Sequence, residues 1–97
     1  MPHRLLDSDR NAIVDSIMAV DGNAEIYLFG SRTDTNKKGG DIDIIILSDS
    51  LIEKDLLKIE KQIFNKIEEI KIDFIISKKL VTDNFVKIIL NYAVKLC

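Results

Sequence analysis

Apolar residues recur along this chain at two different periods, and the switches between them divide it into helices and strands. Leu6, Ile13, Ile17 and Val20 fall on one side of a helical pattern, with Asp9, Arg10, Asp15 and Ser16 mostly elsewhere. Asp7 or Ser8 supplies the cap and Asp21-Gly22-Asn23 the stop. Ala24 to Phe29 reads as a short buried strand, and Ile42 to Leu47 as a second one, apolar on both faces beyond Asp43, which is the mark of a central position in a sheet. Ser50 and Glu53 have the spacing of a capping box, opening an amphipathic helix in which Ile52, Leu56, Ile59, Ile63, Ile67 and Ile70 recur at three- and four-residue steps. Lys71 to Ser77 is a third strand.

The last segment, Asp83 to Leu96 with Thr82 or Asp83 as cap, reads as a helix of unusual character. Lys87, Asn91 and Lys95 fall at four-residue steps, and apolar residues fill nearly all the remaining circumference. A small sheet covers only one side of such a helix, so the pattern predicts a protein partner or a second copy of the chain against the rest, in preference to full burial on the chain's other helices.

Composition narrows the class. With 97 residues the chain makes one domain, 1–97, with a single modest core and no room for a separate acceptor-binding domain. The formal charge of −2 gives no general attraction to nucleic acid or anionic membrane, and no local basic patch compensates. The start, Met1 to Asp7, lacks the apolar core of a signal peptide and no apolar run is long enough to span a bilayer, so a cytoplasmic protein without direct nucleic-acid binding is expected. One cysteine, Cys97, excludes an intrachain disulfide.

The chemistry concentrates between Leu28 and Leu47. Gly30-Ser31 follows the apolar run that ends in Phe29, and glycine there permits a tight turn whose backbone N–H groups, with the Ser31 hydroxyl, face an anion. Asp41 and Asp43 stand two apart at the head of the Ile-rich strand, so they project from one face roughly 6 to 7 Å apart. Carboxylates that close repel unless a cation lies between them, and Mg²⁺ is the oxygen-seeking candidate. Asp73 sits inside the third strand, where aspartate is unfavourable by propensity and costly if buried unpaired; its presence suggests a compensating partner.

Phe29-Gly30-Ser31-Arg32, a polar linker, and Gly40-Asp41-Ile42-Asp43 together resemble the Gly-Ser and Asp-x-Asp signature of the polymerase-beta-like nucleotidyltransferase superfamily. Within it the chain is most similar to the minimal nucleotidyltransferases (MNT), small proteins commonly paired with a HEPN-domain partner in toxin–antitoxin systems. Gly40 stands where that family often has serine. Element order and resemblance together lead to an α+β fold, a small mixed sheet of three to four strands with helices on one face and the carboxylates on the other.

The resemblance implies that Gly30, Ser31 and Arg32 bind the nucleotide, with ATP as donor, and that Asp41, Asp43 and Asp73 are the catalytic carboxylates holding two Mg²⁺ ions. It also implies transfer of AMP to a tyrosine of a HEPN toxin, which would make the chain an antitoxin. A homo-oligomer formed through the C-terminal helix is a further expectation. Two alternatives stay open: a non-catalytic nucleotide-binding antitoxin subunit, and a small-molecule enzyme of the aminoglycoside nucleotidyltransferase type, whose members usually carry an additional helical domain.

Overall fold

A computed structural model describes residues 7–29, 42–67 and 72–97. The elements run α1 (Asp7–Met18), β1 (Glu25–Phe29), β2 (Ile42–Leu47), α2 (Glu53–Phe64), β3 (Ile72–Ser77), α3 (Asn84–Leu90) and β4 (Val94–Lys95). The strands form one mixed sheet in the order β3-β2-β1-β4. β1 is antiparallel to β2 and β4, whereas β2 and β3 are parallel and joined by the crossover helix α2, the connection that parallel neighbours require.

Strand alternation sorts the side chains onto two faces. Ile26, Leu28, Ile42, Ile44, Ile46 and Ile72 point to one face and pack with Ile13 and Ile17 of α1 and with Ile59 and Ile63 of α2. Each fully buried aliphatic side chain is worth about 1.5–3 kcal/mol relative to exposure, so this layer is the main source of stability. The other face carries Ile45 and Leu47, with Val86 of α3 against them and Tyr27, Phe29, Ile75, Ile89 and Leu90 half-buried around them. The interior position expected for the Ile42–Leu47 strand is the observed one. The α+β class is as the element order implied, but the helices divide: α1 and α2 cover one face, while α3 packs on the face that carries Asp43 and Asp73.

Two helices differ from expectation. The long C-terminal helix is instead the seven-residue α3 followed by a strand. Asp83 caps it, its Oδ1 accepting from the Phe85 N–H at 2.8 Å. At the other end the Asn91 and Tyr92 N–H groups reach back only three residues, to the Ile88 and Ile89 carbonyls, and the chain leaves the helix. β1 would otherwise keep an unpaired edge beside the core; Val94 and Lys95 pair with it, Leu96 N–H donates to the Ile26 carbonyl at 2.7 Å, and the Leu96 side chain enters the core. Arg10 of α1 fastens this segment by donating to the Leu96 carbonyl at 2.7 Å.

The second helix is shorter than its apolar repeat suggested and ends at Phe64 with Asn65 as its cap. The capping box of Ser50 and Glu53 does not form. Ile52 is the residue before the first turn and is exposed, and its N–H donates to Asp55 Oδ2 at 3.0 Å. Ser48, ahead of the helix, closes the turn after β2 by accepting from the Ser50 and Leu51 N–H groups at 3.2 and 3.0 Å. Ile70 and Lys71 lie outside the described residues. Val20, expected on the buried side of the first helix, falls beyond its end and is exposed.

Candidate active site

β2 and β3 are in a parallel register that sets Asp43 beside Asp73, and β1 in turn sets Phe29 beside Asp43. Phe29, Asp43 and Asp73 therefore form one row across the sheet, on the face opposite α1 and α2. Adjacent strands lie roughly 5 Å apart, so the two aspartates leave the sheet side by side. Asp43 is half-buried on an interior strand and Asp73 is exposed on the edge strand. The burial cost that singled out Asp73 in the sequence thus does not apply, since an exposed edge aspartate faces water without penalty. Its alignment with Asp43 is the informative fact, because like charges directly abreast destabilise a sheet.

Two abreast carboxylates are hard, anionic oxygen donors, the set Mg²⁺ takes while keeping waters and substrate oxygens in its remaining positions, so the pair fits a divalent cation. Among the described residues no group of three or more His, Cys, Asp or Glu side chains converges on one point. Asp41, the third expected carboxylate, and Gly30, Ser31 and Arg32, the expected nucleotide contacts, lie outside the described residues. Phe29 and Ile42, which flank 30–41, end together at the row of carboxylates.

The opposite end of the sheet holds a polar cluster built from the residues that follow α1 and β2. Ser48 is almost fully buried and donates to Asp21 Oδ2 at 2.5 Å while accepting from two backbone N–H groups. That bond, followed by the Asn23 N–H, holds the Asp21 carboxyl below its ordinary value of 3.8. Asp21, Asn23, Asp49, Ser50 and Lys79 line a cavity of about 240 Å³ there. It lies five residues along β2 from Asp43, roughly 17 Å, too far to serve the carboxylate row. The spacing Ser48-Asp49-Ser50 after an apolar strand was the available signal, but nothing local names Asp21 as its partner.

No helix among the described residues is long and apolar enough to cross a membrane. A search of curated proteins gives no match. The family model described as nucleotidyltransferase domain matches residues 12–96, spanning the elements from α1 to β4 and the whole carboxylate row. On that match the chain belongs to the nucleotidyltransferase domain family of the polymerase-beta-like superfamily.

Proposed function

We propose that this domain moves a nucleoside monophosphate from ATP to a tyrosine hydroxyl of a HEPN-type protein partner and so acts as its antitoxin. The observation that carries the transfer reading is the side-by-side placement of Asp43 and Asp73. Asp41, Asp43 and Asp73 would hold two Mg²⁺ ions. When bound, these supply charge neutralisation at the attacking and leaving oxygens. Asp73, exposed at the sheet edge, accepts the proton of the acceptor hydroxyl as it attacks the α-phosphorus, and pyrophosphate departs on the opposite side. Gly30 and Ser31 hold the triphosphate, with Arg32 adding a charge-assisted contact.

A protein acceptor is favoured over a small molecule by the apolar surface that α3 leaves exposed. Partner contact falls to the exposed side of α3, where Phe85 and Ile88 are 61% and 60% exposed, large apolar groups that a monomer gains nothing by leaving in water. The same surface serves a second copy of the chain in the homo-oligomer reading. The test is the intact mass of the protein encoded by the adjacent gene, co-expressed with the wild type or with Asp43→Asn. A nucleotidyl increment present only with the wild type is the expected result. An unmodified partner that co-purifies with both forms would leave the binding-only antitoxin as the function.

A further inference from the structure

We propose that the outer edge of β3 is a dimer interface, where β3 of a second copy pairs antiparallel and joins the two four-stranded sheets into one. The second copy then lies on β3, and α3 is left to a different partner. The pairing requires no nucleotidyl transfer.

β3 ends the sheet order β3-β2-β1-β4, and among the described residues no strand lies beyond it. The Ser77 carbonyl accepts from the Ser48 N–H, so Ser77, Ile75 and Asp73 turn their backbone groups toward β2. By alternation Ile72, Phe74 and Ile76 turn theirs outward. Exposed edges are commonly blunted by lysine, proline or a bulge. β3 reads Ile-Asp-Phe-Ile-Ile-Ser over its 6 residues, with no lysine, proline or break in register.

Side-chain burial marks the same edge. Ile44, Ile45 and Ile46 of β2 are fully buried, whereas their register partners Phe74, Ile75 and Ile76 are half-buried. The sheet stops on their far side, which is where a further strand would cover them.

The order of residues selects a second copy as the occupant. Asp73 stands near the start of β3, and Lys78-Lys79 follow directly on its end. A parallel copy would set like charges together, whereas an antiparallel copy sets the acidic start of one strand against the basic end of the other. Centred on Ile75, that pairing puts Asp73 beside Ser77 of the partner subunit, Phe74 beside the partner's Ile76, and Ile75 beside the partner's Ile75. Polar then meets polar and apolar meets apolar, and the two-fold axis repeats each pair. Phe74 and Ile76 form the hydrogen-bonded pairs, as their outward backbone groups require, and Ile75 meets its counterpart at a non-hydrogen-bonded position. Centring on Phe74 instead would set Asp73 against the partner's Ile75, a carboxylate on an apolar neighbour.

The test oxidises the full chain carrying Ile75→Cys, with Cys97→Ser to remove the exposed native thiol, and compares it with Ile88→Cys in the same background. Non-hydrogen-bonded partners have Cα atoms about 4.5 Å apart, within the reach of a disulfide. Ile75→Cys should therefore give a covalent dimer, and Ile88→Cys should not. In sedimentation equilibrium the wild type should dimerise reversibly. Ser77→Asp sets a like charge beside Asp73 in both symmetric pairs and should raise the dimer dissociation constant about two- to thirtyfold, while Ser77→Lys should lower it. A wild type that is monomeric at every concentration would overturn the inference and leave the edge to a strand of another protein. Cross-linking through Ile88→Cys in place of Ile75→Cys would put the second copy on α3 and overturn it too. Equal dimerisation of folded Ser77→Asp and Ser77→Lys would do the same, because Ser77 would then not lie beside Asp73.

Discussion

At the Leu47 end of the sheet, Asp21 accepts from Ser48 Oγ and from the Asn23 N–H, and Ser48 in turn closes the backbone turn at Ser50 and Leu51. At the Phe29 end, Asp43 and Asp73 stand abreast on parallel strands, one half-buried and one exposed. The same side chain is thus used in two ways. Where neutral donors converge on Asp21, it is a brace that joins the end of α1 to the end of β2; where a second carboxylate is the cross-strand neighbour, two acidic side chains are brought to one place on the sheet. Residue type alone does not separate these arrangements, and strand register does.

Substitutions at the two ends should therefore separate activity from stability. Asp43→Asn has the largest expected effect: about 10³-fold or more off nucleotidyl transfer, the equivalent of about 4 kcal/mol of transition-state stabilisation. Its urea midpoint should change far less than its activity, because a like-charge pair is relieved at the same time. Transfer activity surviving the change would remove Asp43 from the chemistry. Ser48→Ala should do the reverse. Losing a buried donor and acceptor costs about 1–3 kcal/mol in denaturant unfolding, with transfer per folded molecule unaltered. A matching loss of activity would mean that the two ends are coupled and the division is false.

A smaller effect follows from the depressed Asp21 carboxyl. A group whose value is lower in the folded state contributes stability above its unfolded value of 3.8, and this is lost as pH falls through the folded value. Wild type should thus exceed Asp21→Asn in urea midpoint at pH 7, and the gap should close below about pH 3.8. A gap that persists at pH 2 would show that ionisation of Asp21 is not its source. Ser50→Ala has the smallest effect, within about 0.5 kcal/mol, because the helix it was expected to cap begins at Ile52 and Asp55 instead. A loss above about 1 kcal/mol would restore Ser50 as a cap.

Much of the fold was legible because the strongest apolar runs are local. Ile42 to Leu47 is apolar on both faces and could only be an interior strand, and the spacing of Ile59 and Ile63 already marked the buried side of α2. The carboxylate row was half legible. Asp43 and Asp73 were both named from sequence, Asp73 as a catalytic carboxylate through the resemblance, and their adjacency depends on a parallel register that no local pattern encodes.

The residues after Leu90 show the limit most clearly. Val94 and Leu96, two apart with Lys95 between, satisfy a strand as well as a helix. The chain by itself determined which residues are apolar, where β2 and the crossover helix lie, and that Asp43 and Asp73 fall within strands. Only tertiary structure decided that the last residues become a strand, since the open edge of β1 satisfies their backbone groups and receives Leu96 into the core. It also decided which aspartates meet, because neighbours across a sheet are set by the packing of whole strands.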